Sequence, residues 1–170
     1  PLRWRTPRRV VGNSMSDLFH EALPDEAIDR VFGAMICAPQ HTFQILTKRP
    51  ERMRDYMSKT KGMGNILTRV IHAGRALSKP RGWVAPEGSP WPYRNVWLGV
   101  SVEDQATADE RIPLLLQTPA AVRFVSYEPA LEMVDFTRWL VGHEEAGTPF
   151  DGAPHVGGCV GWTPPLDWII

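Results

Sequence analysis

Cysteine is scarce in this chain of 170 residues: Cys37 and Cys159 stand far apart and outside any CxxC spacing. That excludes a disulfide framework and fits a reducing cytoplasm. An excess of either charge is also lacking, since 19 Lys and Arg face 19 Asp and Glu. Bulk charge therefore does not steer the chain toward nucleic acid or an anionic membrane. No apolar run approaches the ~20 residues of a membrane helix. The first residues are basic and proline-interrupted with no apolar segment behind them, so no signal-peptide pattern is present. There is no Walker loop, no GxGxxG after a strand and no GxSxG elbow. His20, His41, His72, His143 and His155 show no metal-ligand spacing. His155 with Cys159 comes nearest, and two ligands on a glycine-rich stretch make no site.

What is present is a globular composition: 43% hydrophobic and 22% charged residues argue against disorder, in a length that suits one domain. One local charge cluster stands out at the start, where Arg3, Arg5, Arg8 and Arg9 surround Trp4. Such a group is either a solvated edge or a phosphate contact. Both ends look cut, because the chain opens on Pro1 and stops at Trp168-Ile169-Ile170 in what reads as a buried strand. The expectation is a piece of a longer protein, truncated at both ends, whose bare sheet edges favour association.

Strand and helix signals alternate. Arg9-Val10-Val11-Gly12 reads as a strand exiting into Asn13-Ser14-Met15-Ser16-Asp17. A helix begins with Pro24 at its first position and Asp25 and Glu26 in its first turn. Ala27, Ile28, Val31, Phe32, Met35 and Ile36 give it one apolar face, and Pro39 ends it. His41 to Leu46 is a strand that exits into Thr47-Lys48-Arg49. Pro50 starts a helix with Met53 and Met57 inward, and residues 65–77 form another with Ile66, Val70, Ala73 and Leu77 on one stripe. Residues 78–94, with Trp83 and Trp91, read as a loop. Asn95 to Val100 is a strand exiting into Ser101-Val102-Glu103-Asp104. Thr107 and Glu110 match a capping box, and Pro113 should kink or restart the helix that follows. Val122 to Val125 is the next strand, exiting into Ser126-Tyr127-Glu128-Pro129. Residues 141–165 read as an irregular insertion, and Leu166 to Ile170 as a last strand.

This alternation indicates an α/β domain over 1–170, a parallel sheet covered by helices. Right-handed crossovers put every strand exit on one edge, where ligands bind in barrels and open sheets alike. The candidate site is therefore Ser14, Ser16, Asp17, Thr47, Lys48, Arg49, Ser101, Glu103, Ser126 and Glu128. Lys48 and Arg49 suit a carboxylate or phosphate. Glu103 and Glu128 suit an amine, ribose hydroxyls or proton transfer. Against this, Ser, Thr and Asp after a strand also cap helices, and Arg49 can simply pair with Glu51 or Glu103.

Five phrases carry a resemblance: 13–20 (NSMSDLFH), 43–50 (FQILTKRP), 96–103 (VWLGVSVE), 124–129 (FVSYEP) and 166–170 (LDWII). Together they resemble the phage gene-product 37/68 family, a group of radical-SAM-like proteins of poorly defined function. The resemblance implies a partial (βα) barrel whose complete members carry an upstream three-cysteine motif for a [4Fe-4S] cluster used with S-adenosylmethionine. Neither Cys37 nor Cys159 belongs to such a motif, so this chain alone is expected to hold neither cofactor. The strand-end residues named above carry over, Glu103 and Glu128 as catalytic candidates and the others as cofactor-binding, with their individual roles open. Two further readings stand beside it. One is a non-catalytic module touching nucleic acid through Arg3, Arg5, Arg8, Arg9 and the Lys48-Arg49 exit. The other is a metal-free α/β enzyme with Glu103 or Glu128 as base.

Overall fold

Runs of β-branched and aromatic residues at Arg9–Gly12 (β1), Thr42–Thr47 (β2), Val96–Val102 (β3), Arg123–Tyr127 (β4) and Trp168–Ile169 (β5) pair as one sheet in a computed structural model. It describes residues 1–12, 16–59, 65–78, 91–140 and 166–170. Every pairing is parallel, and the strand order is β1-β2-β3-β4-β5. Between the strands run Asp25–Ile36 (α1), Pro50–Met57 (α2), Ile66–Ser78 (α3), Gln105–Leu116 (α4) and Thr137–Leu140 (α5).

Sequential order with right-handed crossovers places these helices on one face. The register agrees. Phe43, Ile45, Val96, Leu98, Val100, Val102 and Val125 alternate onto a common side and join Ile28, Phe32, Met53, Ile66, Val70, Ile112 and Leu115 in one core. The opposite face carries Arg9, Val11, Gln44, Trp97, Gly99, Ser101, Phe124, Ser126 and Trp168. The Phe124 ring lies over Gly99 so closely that a β-carbon there would come within 2.6 Å of it. Val11 in β1 and Trp168 in β5, the two outer strands, remain 60% and 57% exposed.

Several local expectations shift. Pro24 is the residue before α1 rather than its first helical position. Leu77, expected on the buried stripe of α3, is 40% exposed, because α3 packs through Ile66, Val70 and a close crossing of Gly74 on Gly33 in α1. β3 and β4 run through Ser101-Val102 and Ser126-Tyr127, which pair in register instead of turning away. The cap of α4 is Asp104, not Thr107: its carboxylate accepts from Thr107 N at 2.7 Å, and Thr107 Oγ1 accepts from Asp104 N. Pro113 does not restart the helix, which runs on through it to Leu116. The N–H that Pro113 lacks would have bonded the carbonyl of Asp109, an exposed residue that water can serve. Among the described residues no helix is long and apolar enough to cross a membrane. The loop expected at 78–94 includes Ser78, which ends α3. Residues 79–90, with Trp83, and the insertion at 141–165 lie outside the described residues.

Candidate functional site

The parallel sheet does bring the strand exits to one edge, and Asp17 ties the first two together. Its Oδ1 accepts from Thr47 Oγ1 at 2.7 Å and from Phe19 N at 2.9 Å. Its Oδ2 accepts from Lys48 N at 3.0 Å and from Arg49 Nη1 at 3.2 Å. Burial alone would raise the Asp17 carboxyl, but the four donors together hold it below the usual carboxylate range. Thr47 Oγ1 in turn accepts from Arg49 N at 2.9 Å. Arg49 also reaches Glu21 at 3.8 Å, so its partners are Asp17 and Glu21 rather than Glu51 or Glu103. From α2, Arg52 donates to the carbonyls of Phe19, His20 and Leu23 and pins the loop between β1 and α1. Asp17, Thr47 and Arg49 thus act as a clamp between chain segments, and their polar groups face one another.

The second half of the edge is built around Glu103, 8% exposed at the end of β3. Its Oε2 accepts from Arg111 Nη1 at 2.9 Å, and the same guanidinium donates to the Ser101 carbonyl at 2.8 Å. On the other side the Lys48 ammonium lies against Oε1 as an ion pair. Lys48 is 55% exposed along its side chain, so one of the two cations on this buried carboxylate is held inside and the other is open to solvent. Arg111, on α4 eight residues later, has no signal in the sequence beyond its place on the first turns of a helix. Its role follows only from how α4 packs against β3.

Glu103 and Glu128 each directly follow a register-matched residue, Val102 and Tyr127, at the ends of two adjacent strands. Their surroundings differ. Glu128 is exposed and lies outside the Lys48–Glu103–Arg111 network. Ser101 is buried and Ser126 half-buried, paired on the helix-free face, while Ser16 is exposed. Ser14 lies outside the described residues. A groove of about 370 Å³ opens beside Lys48 and Arg49, reaching Glu51 and Asp55 of α2 and Glu110 of α4.

A second polar network escaped sequence reasoning. Asp29 of α1, 6% exposed, accepts from Tyr56 Oη at 2.7 Å and from Arg69 Nε and Nη2 at 3.0 and 3.1 Å. It locks α1, α2 and α3 together and shares no residue with the strand exits. Of the histidines, His41 is buried with Nδ1 accepting from Arg8 N, His20 and His72 are exposed, and His143 and His155 lie outside the described residues, as does Cys159. No group of three metal-ligating side chains occurs among the described residues.

With this geometry in place the family is clear: the chain belongs to a family described as a protein of unknown function (DUF5131), whose model matches residues 1–170. No curated protein and no solved structure matches it.

Proposed function

We propose that this chain is the pocket-bearing arc of a radical-SAM-like (βα) barrel of the phage gene-product 37/68 type, binding a polar small molecule at the carboxyl ends of its strands. S-adenosylmethionine is the ligand this reading names. The observation that carries it is the unreversed order β1-β2-β3-β4-β5, all parallel, with the helices on one face. A doubly wound sheet reverses its order and binds at the switch point, whereas a barrel arc does not and binds at the mouth formed by its strand ends.

The residues fit the two implied groups unequally. A [4Fe-4S] cluster takes cysteine thiolates, and this chain has two cysteines. The Cys37 thiol donates to the Gly74 carbonyl at the far ends of α1 and α3, away from the strand exits. No electron-transfer step is therefore assigned to this chain. S-adenosylmethionine fits better. Glu103 offers a buried carboxylate whose Oε1 is paired with the solvent-open Lys48, so an ammonium or ribose hydroxyls suit it in place of that lysine. Lys48, open to solvent beside it, suits a carboxylate.

Calorimetric titration with S-adenosylmethionine tests this. The missing cysteine motif carries the expectation that the chain alone holds neither cofactor, and this reading departs from it for S-adenosylmethionine. Saturable binding is therefore expected for the wild type, weakened at least about tenfold in Glu103→Gln, since a charge-assisted hydrogen bond contributes about 1.5–3 kcal/mol. A wild-type protein that takes up no S-adenosylmethionine removes the reading. Iron and sulfide reconstitution should yield no cluster absorbance on this chain.

A further inference from the structure

The charges that cancel in sum separate along the strand axis. At the carboxyl edge Lys48, Arg49, Arg52 and Arg111 each rest on a carboxylate. The amino edge is formed by segments 1–9, 37–42, 91–96, 117–123 and 166–167. Among the described residues it carries Arg3, Arg5, Arg8, Arg9, Arg94 and Arg123 against one carboxylate, Asp167. That carboxylate accepts from the Arg123 backbone N at 2.7 Å, and the Arg123 guanidinium donates to the Thr118 carbonyl. The other five arginines are exposed and meet no carboxylate among the described residues.

Two of the five are held in place. The Arg8 guanidinium lies 5.0 Å from the Trp4 ring centre, and Arg9 lies 5.9 Å from that of Trp97. A guanidinium stacked on an aromatic ring keeps its N–H edges free, so the ring fixes the fork and leaves its donors pointing at solvent. The stretch that carries Arg8 is itself anchored: Arg8 N donates to buried His41, and its carbonyl accepts from Thr42 N at 2.9 Å. The same register sets Arg9 beside Thr42, five strand steps from Thr47, which places Arg9 roughly 17 Å from the Lys48-Arg49 exit. The basic start and that exit therefore do not form one patch.

We propose that the amino edge of the sheet is a binding surface for single-stranded nucleic acid, with Arg8 and Arg9 as fixed phosphate forks. Arg3, Arg5 and Arg94 add charge along the backbone's path, and Trp4, 38% exposed, offers a ring to an unstacked base. This surface is separate from the carboxyl-edge pocket and stands whether or not that pocket binds S-adenosylmethionine. An anionic membrane is the other polyanion to weigh. Arginine forks suit discrete phosphates, and no helix runs through residues 1–8 to lie in a lipid interface.

Fluorescence anisotropy with a labelled oligothymidylate tests the proposal, with a duplex of equal length and phosphatidylserine vesicles as parallel probes. Binding to the single strand should fall roughly fifty- to a hundredfold between about 50 and about 200 mM salt if four or five phosphates are neutralised. Arg8→Ala/Arg9→Ala should reduce the log–log salt slope by about 1.4, while the charge-matched control Arg30→Ala/Arg54→Ala leaves it unchanged. Arg8→Lys/Arg9→Lys keeps the charge and loses the fork, so it should bind more weakly than wild type at equal salt. Melting curves of each variant confirm that it is folded. Absent or salt-independent binding overturns the proposal, as does undiminished binding by a folded Arg8→Ala/Arg9→Ala variant. Preference for the duplex or for the vesicles overturns it as well.

Discussion

Arg111 on α4 holds Glu103 at the end of β3 through a 2.9 Å charge-assisted hydrogen bond, with both side chains largely buried. Removing one member of a buried pair strands the other charge at a cost of about 3–5 kcal/mol, and Lys48 remains to offset part of it. Arg111→Met should therefore lower unfolding free energy by roughly 2–3 kcal/mol in urea titrations. Adding Glu103→Gln should recover part of that loss. A double variant with the summed loss of the singles would show that the two groups do not depend on each other.

Acid should loosen the edge through Asp17. Burial opposes its ionisation, yet the donors from Thr47, Lys48 N, Phe19 N and Arg49 win, so the folded carboxyl titrates below its unfolded value. A lowered folded pKa means stability that is complete above the unfolded value of about 3.9 and is lost as pH falls through the folded one. Asp25, held down by Lys59, Arg69 and Arg52 against its own burial, acts in the same direction. The melting temperature should drop steeply below about pH 4, and the drop should be shallower in Asp17→Asn. Parallel profiles for the two proteins would rule out Asp17 as a contributor.

Base should act on the other network. Burial first, then the Asp29 carboxylate, push the Tyr56 hydroxyl far above its ordinary value, and burial with Cys37 nearby pushes Tyr93 up to about 12. A raised folded pKa means that the folded state keeps protons the unfolded chain releases, so stability declines as pH rises past about 10. Tyr56→Phe removes the donor to Asp29 and leaves Arg69 on it. It should cost about 1–2 kcal/mol at neutral pH and flatten the alkaline decline. Denaturant titrations at neutral and alkaline pH measure both effects.

The helix-free face offers a steric test. A methyl group at position 99 would lie 2.6 Å from the Phe124 ring, so Gly99→Ala should destabilise by roughly 1–3 kcal/mol through overpacking. Phe124→Leu clears that space, and Gly99→Ala/Phe124→Leu should lose less than the sum of the single changes. Additive losses would mean that the ring does not rest on Gly99.

Much of the fold was legible in local pattern. The 3.6-residue spacing of Ile28, Phe32, Met35 and Ile36 and the alternation of Phe43 and Ile45 gave α1 and β2 to within a residue or two. Caps are less legible. Asp104 and Thr107 both suit an N-cap, and only the course of β3 through Val102 makes Asp104 the residue at the turn. In the site, Lys48 and Glu103 were legible because both follow strands, and parallel crossovers bring strand ends together. Arg111, the Asp29–Tyr56–Arg69 lock and the two arginine–tryptophan stacks were not, because each joins residues whose nearness depends on helix packing or strand register.

The carboxyl-edge residues therefore belong to the sequence in one sense and to the tertiary structure in another. By itself the sequence determined where strands and helices lie and that their polar exits share an edge, since hydrophobic period and crossover handedness are properties of short segments. The tertiary structure decided what each exit residue does. Asp17, Thr47 and Arg49 turn inward as a clamp. Glu103 is left buried between an internal arginine and an open lysine, and five exposed arginines that meet no carboxylate among the described residues lie at the opposite edge. Charges find their partners across elements, and packing fixes which ones come within reach.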